Sequence, residues 1–402
     1  MSRRRNAVPT LVVDLTALRT PGGVRGIGRY IRELATGLGR LPTEELAGID
    51  LVGLTSVGWR GEHTFTRDLG SLGRDLDEAP PTGTDYYVWA YRQRLSLWRA
   101  LGKLGASAVH VTDPHATPLL LRATGIKKLV TCHDLVPTRF PDRYMSIKDG
   151  GPTIGKWIER RRYTSADLVL AVSDSTRRDV MSLLGVPPER VVRVYNGADV
   201  ERWATALAGS PEPTLGRFGL AGRPFVLYVG GSDYRKNVEG MIAGLLRART
   251  AGVDLRLAWA GNLEPKHRGR VEGMLAEAHA TEAVHLLGFV SDEELQTLYR
   301  SAIAHLFVSR LEGFGYTVVE AMASGCPVVA SAGSSLDEVA GDAALKVDPE
   351  DGRAIGDTLV RLVKDEALRR ELARKGRERA PLFSQLAQAR GTLAAYRTLL
   401  AS

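Results

Sequence analysis

Cysteine is almost missing from this sequence: Cys132 and Cys326 are the only two among 402 residues. That count argues against a disulfide scaffold and against a cysteine-based zinc site. Each cysteine closes or directly precedes an apolar strand-like run, so both read as small buried hydrophobes. Long apolar runs are missing too. Nothing approaches the roughly 20 residues that a membrane-spanning helix requires. The basic start, Met1 to Asn6, leads into Leu11, Val12 and Val13, and Asp14 interrupts that run at once. It is too short for the core of a signal peptide, which predicts a cytoplasmic protein. The eight histidines show no metal-ligand spacing, so no metal is expected. Zinc-finger spacings, basic-zipper heptads and aromatic RNA-binding strands are also absent, so no nucleic-acid partner is expected despite a net charge of +8.

What is present is the composition of a soluble globular chain, 44% hydrophobic and 25% charged. At this length two domains are expected rather than one core. The basic excess suits phosphorylated ligands or anionic lipid. Part of it, at Arg369, Arg370, Arg374, Arg377 and Arg379, reads as a solvated helical face.

Short apolar strands alternate with longer helical patterns in both halves, which predicts parallel sheets covered by helices. In the first half, strands are expected at 10–15, 108–112, 128–132, 167–172 and 190–195, with helices at 29–38 and 175–184. The segment 58–84 reads as loop-rich. In the second half, strands at 224–229, 255–260, 284–287, 303–308 and 327–331 alternate with helices at 237–248, 265–280, 291–301 and 317–324. The expected organisation is an α/β fold of two Rossmann-like, doubly wound domains facing across a cleft. Residues 1–205 form the N-terminal domain, 206–223 a linker, and 224–385 the C-terminal domain. A final helix at 386–402 packs back on the first domain. In such sheets ligands bind beyond the carboxyl ends of strands, so the chemistry is sought on the loops there.

Four polar clusters fall on those loops. Glu312-Gly313-Phe314-Gly315-Tyr316-Thr317 precedes a helix that carries Glu320. Its glycines permit close backbone approach, and the amides at Gly315, Tyr316 and Thr317 suit an anion. The two carboxylates suit sugar hydroxyls. Gly230-Gly231-Ser232-Asp233-Tyr234-Arg235-Lys236-Asn237 offers two adjacent cations for a diphosphate. The turn from Gly22 and Gly23 to Gly26-Ile27-Gly28-Arg29 can cradle a phosphate or serve only as a turn. His133-Asp134 follows a strand, and His110 and His115 flank another strand end; these are candidates for sugar and acceptor contacts.

In this order, the clusters resemble glycosyltransferase family 4, whose members have the GT-B architecture. The resemblance is strongest from Ser309 through Ser331, with Glu312 and Glu320 separated by seven residues. The runs Gly26-Ile27-Gly28-Arg29-Tyr30 and His133-Asp134-Leu135-Val136-Pro137 resemble bacterial polysaccharide mannosyltransferases. The sequence departs from the family at Tyr316-Thr317, where Leu-Pro is common, and at Val308, which replaces a frequent proline.

The resemblance implies a retaining, metal-independent hexosyltransferase with no cofactor and a nucleotide-diphosphate sugar as co-substrate. It places Glu320 on the donor ribose. Glu312 with the backbone of Gly313, Phe314 and Gly315 meets the transferred sugar. Arg235 and Lys236 meet the diphosphate. Gly26 and Gly28 close over the donor phosphate, His133 lies at the reacting centre, and Phe289 and Val290 lie on the nucleobase. The acceptor is a saccharide or glycolipid, with peripheral contact to the cytoplasmic membrane surface; a soluble natural-product core is the alternative. A phosphorylase, an epimerase and a noncatalytic sugar-binding protein on the same architecture stay open.

Overall fold

A computed structural model describes residues 8–19, 26–57, 63–70, 97, 100–115, 125–145, 151–263 and 265–402. Gly22 and Gly23 lie outside the described residues. The chain forms two compact units, one of Met1–Gly197 with Ser384–Ser402, the other of Ala198–Phe383.

The first unit holds a seven-stranded sheet in the order β3-β2-β1-β4-β5-β6-β7. Its strands are β1 (Thr10–Asp14), β2 (Asp50–Val57), β3 (His63–Thr66), β4 (Ala108–Val111), β5 (Lys127–Cys132), β6 (Leu168–Ala171) and β7 (Val191–Arg193). All neighbours are parallel except β2 and β3. Residues of β1, β4 and β6 are buried almost throughout, as expected of strands covered on both faces. Cys132 is buried in this core. Two strands were not legible. In β2, Gly53 interrupts the apolar run because a Cβ there would lie 2.7 Å from a Leu69 methyl and 2.9 Å from one of Leu15. The short antiparallel edge strand β3 lies within 58–84, which corrects the loop reading of that segment. The helix Gln385–Ala401 packs on the helix Gly26–Gly39. Gly37 permits the approach, since a Cβ there would sit 2.4 Å from the Gln385 carbonyl oxygen.

The second unit holds a six-stranded, wholly parallel sheet in the order β10-β9-β8-β11-β12-β13. Its strands are β8 (Phe225–Val229), β9 (Arg256–Ala260), β10 (Val284–Gly288), β11 (Ala304–Phe307), β12 (Val328–Ser331) and β13 (Ala344–Val347). The last adds to the five expected strands; Lys346 and its half-exposed edge position hide it from an apolar scan. The order reverses between β8 and β11, so the loops after these two strands lie side by side at a topological switch point.

The chain enters the second unit at Ala198, not after residue 205. The helix Val200–Ala204 buries Trp203 against Tyr299, with ring centroids 5.9 Å apart, and so belongs to the second core. The segment 206–223, expected as a linker, carries the helix Glu212–Arg217 within the same unit. Among the described residues no helix is long and apolar enough to cross a membrane.

Candidate active site

The backbone that presents the two cations is pinned from beneath. Buried Tyr228 donates its hydroxyl to the Gly231 carbonyl at 2.6 Å, and buried Trp259 donates its indole N–H to the Gly230 carbonyl at 2.9 Å. After the turn Tyr234–Lys236, Asn237 takes a left-handed conformation, φ 55°. Asparagine tolerates that region better than most side chains. Its buried amide donates to the carbonyls of Val308 at 3.0 Å and Pro349 at 2.6 Å. Arg310 closes the join: its backbone N–H donates to the Arg235 carbonyl and its guanidinium to the Tyr234 carbonyl, both at 2.7 Å. The loops after β8 and β11 are thereby one assembly.

Glu312 sits at the centre of that assembly and is 8% exposed. Its backbone carbonyl accepts from the Ser335 hydroxyl at 2.7 Å. One carboxylate oxygen accepts from Arg235 at 2.5 Å and the other from Lys236 at 2.7 Å. Asp233 takes the other edge of Arg235 at 3.2 Å, and Lys236 lies 5.0 Å from the centre of the Phe307 ring. Burial alone would raise the Glu312 carboxyl, but Arg235 and Lys236 outweigh it and hold it down at about 2. Burial pushes the Lys236 ammonium down against the pull of Glu312. Such a buried triad is not a net source of stability, because desolvation offsets most of the attraction. It does impose a pH dependence. The Glu312 stabilisation is present above the unfolded carboxyl range, near 4.3, and is lost as pH falls toward about 2. Urea titrations between pH 5 and 2.5 are expected to show a steeper fall in stability for the wild type than for Glu312→Gln. Equal slopes would contradict this ionic assignment.

The helix Tyr316–Ala323 starts at Gly315, φ 109°, with no side-chain cap on its first amides. Glu320 falls at its fifth position, is 2% exposed, and accepts from the Tyr299 hydroxyl at 3.1 Å. The Thr317 hydroxyl is turned to buried His305. Buried His305 faces the Leu227 carbonyl through Nδ1 at 2.9 Å, so that nitrogen carries the hydrogen; Nε2 must then accept from the Thr317 hydroxyl at 3.2 Å. Burial holds His305 neutral, down at about 4. Phe289, after β10, is 78% exposed, and Val290 beside it is half-buried.

In the first unit, Gly26 and buried Gly28 lie inside the first turn of the helix Gly26–Gly39, where a loop before residue 29 was expected. Half-buried His133 directs Nε2 to the Thr112 carbonyl at 2.7 Å, which places its hydrogen there. The Tyr30 ring stands edge-on at 4.7 Å. Burial lowers the His133 ring against the Thr112 contact. Asp134 accepts from the Val136 N–H at 3.0 Å and so shapes the next turn. His115 is exposed, 3.9 Å from buried Glu159. His110 is not an acceptor-facing residue. It is fully buried, with Nδ1 at 2.8 Å from the Tyr396 hydroxyl and Nε2 at 2.7 Å from the Thr131 hydroxyl. Burial pushes it down to about 3. Tyr30 joins this network through Thr131 at 3.0 Å.

Among the described residues no group of three or more His, Cys, Asp or Glu side chains could hold a metal. Arg235, Lys236 and Glu312 are brought into direct contact within the second unit; in the first unit Asp134 holds the Val136 N–H, and buried His110 holds Thr131 and Tyr396. Asn237 stands in the sequence cluster and Ser335 beyond the strongest motif, but neither their contacts nor Tyr299 was legible, because the partners lie in other elements.

Comparisons with known proteins bear on both units. Residues 24–202 match the model of Glycosyltransferase Family 4, and residues 218–379 that of Glycosyl transferases group 1. O-antigen chain mannosyltransferase B of Escherichia coli is 32% identical over 58% of this chain and 61% of its own. Alpha-maltose-1-phosphate synthase of Mycolicibacterium smegmatis is 30% identical over 69% of this chain and 74% of its own. The chain spans about half to three fifths of the length of the first curated relatives it matches. Sucrose-phosphate synthase from Thermosynechococcus elongatus is similar in fold, with a TM-score of 0.72 at 22% identity over 98% of this chain and 99% of that one. The two doubly wound units are those of the GT-B fold. With each half matched by a glycosyltransferase model, and with a relative of 30% identity aligned over three quarters of its length, the chain belongs to glycosyltransferase family 4.

Proposed function

We propose that the protein transfers a hexosyl group from a nucleotide-diphosphate sugar to a hydroxyl of a saccharide or glycolipid acceptor, with retention at the anomeric carbon. The observation that carries this reading is the contact of Arg235 and Lys236 with buried Glu312 at the switch point of the second sheet. Two cations on a loop joined to the one that opens a helix at Gly315 suit a diphosphate, and a buried carboxylate suits sugar hydroxyls. The 32% identity to a protein named as a mannosyltransferase favours mannose; a glucosyl or N-acetylglucosaminyl group is the other choice. The acceptor oxygen attacks the anomeric carbon on the face the diphosphate leaves. The carbon–phosphate-oxygen bond breaks, and the acceptor proton passes to the departing oxygen. Arg235 and Lys236 stabilise the charge that develops there. Glu320 holds the ribose, Phe289 and Val290 meet the base, and Gly231, Gly313, Phe314 and Gly315 let the ligand approach the backbone. In the first unit, Gly26, Gly28 and His133 act toward the reacting sugar, and exposed His115 toward the acceptor. The reaction needs no metal. Action in the cytoplasm, with peripheral contact to the membrane surface, suits a lipid-linked acceptor.

Isothermal titration with UDP, GDP, ADP and TDP tests the donor site. One nucleotide is expected to bind selectively, and Glu320→Ala is expected to weaken it at least about tenfold, or ~1.4 kcal/mol. Equal binding by a folded Glu320→Ala variant would remove the ribose assignment. Binding of none of the four, either bare or carrying a sugar, would remove the reading itself.

A further inference from the structure

We propose that Glu312 is a built-in counter-anion for Arg235 and Lys236, one that resists bare nucleoside diphosphates and yields to sugar-bearing ones. This rests on the function proposed above. The two cations face Glu312 at 2.5 and 2.7 Å, and Asp233 faces Arg235 at 3.2 Å. Two positive charges thus meet two negative ones, and the local cluster carries no net charge. A diphosphate that takes the cations must first displace the Glu312 oxygens. The freed carboxylate remains buried without its two cations, and either leaving that charge unpaired or protonating it costs free energy.

Its neighbours offer little replacement. Ser335 is committed to the carbonyls of Glu312 and Phe314. The Asn237 amide is committed to those of Val308 and Pro349. The Ser309 hydroxyl stands beside the carboxylate, but one neutral donor does not replace two cations. Hydroxyls of a donor sugar would supply the missing hydrogen bonds; a bare diphosphate brings none. The exchange therefore favours the sugar nucleotide over its own product. After transfer, Glu312 loses its sugar partners, recaptures the cations and expels the nucleoside diphosphate.

Titration of wild type and Glu312→Gln with UDP, GDP, ADP, TDP and inorganic pyrophosphate separates this from a role in sugar contact alone. The variant is expected to bind the matching nucleoside diphosphate, and pyrophosphate, at least about tenfold more tightly than the wild type. The ratio of sugar-nucleotide to nucleoside-diphosphate affinity is expected to fall by at least about as much. A folded Glu312→Gln variant with unchanged or weaker affinity for the bare diphosphate overturns the proposal. Should that variant show no cooperative melt, Glu312→Asp carries the test. It keeps the charge but withdraws it by one methylene, and is expected to bind the diphosphate more tightly than the wild type; equal binding overturns the proposal. If the wild type binds no nucleotide, with or without sugar, the proposed function fails. The pyrophosphate arm still reads the counter-anion directly, because an unblocked cation pair gains that ligand and an unaltered one does not.

Discussion

Lys236→Ala is expected to lower turnover by about 10²- to 10³-fold at saturating donor, the range seen when one preorganised charge-stabilising group is removed. The side chain is 13% exposed, so water screens it little. Its charge faces the position proposed for the leaving diphosphate, and the loss should appear mainly in kcat. Arg235→Ala should lose less, because Arg235 is 24% exposed and shared between Glu312 and Asp233. The measurement is nucleoside diphosphate released from the sugar nucleotide, with an acceptor or with water, alongside a melting curve for each variant. A folded Lys236→Ala enzyme that raised KM and left kcat unchanged would assign the lysine to ground-state binding alone, contradicting its leaving-group role.

Gly261→Ala is expected to destabilise the second unit by about 3 kcal/mol or more. Gly261 has φ 156°, and a Cβ built there falls 2.3 Å from the Gly230 carbonyl oxygen. That obstacle is backbone, so no rotamer change relieves it. Separating the two loops would break the Trp259 bond to the same carbonyl and disturb the turn that leads to Arg235. Gly269, on the exposed side of the helix Pro265–Glu277 with nothing near its missing Cβ, is the control. Gly269→Ala should be neutral or stabilising by up to about 1 kcal/mol. Urea midpoints that leave both alanine variants at the wild-type value would refute the packing argument.

These effects show which parts of the molecule the sequence disclosed. The strands β8, β9, β11 and β12 were legible because strands buried on both faces need nearly unbroken apolar runs. The edge strands β3 and β13 need no such run, and β2 is broken by a glycine that packing demands. Glu312, Arg235 and Lys236 stood out individually, since charge and glycine at strand ends are visible signals. Their mutual contact was not visible, because it joins positions 76 and 77 residues apart through the pairing of β8 with β11. His110 was misread for a related reason. Its place near a strand end does not reveal that its side chain points into the core, where Tyr396, 286 residues away, awaits it. Its buried partners, Thr131 and Tyr396, are ordinary residue types with no local pattern.

The return of the chain at Ser384 has a consequence for biosynthesis. The second unit is continuous in sequence, so it can fold as soon as it clears the ribosome. The first unit begins to emerge earlier but lacks the helix Gln385–Ala401 until the whole second unit has been translated. Until then the His110 side chain faces a gap where Tyr396 belongs, and the helix Gly26–Gly39 lacks its packing partner. The half translated first is therefore the half completed last, and its unfinished state is the one that chaperones would meet.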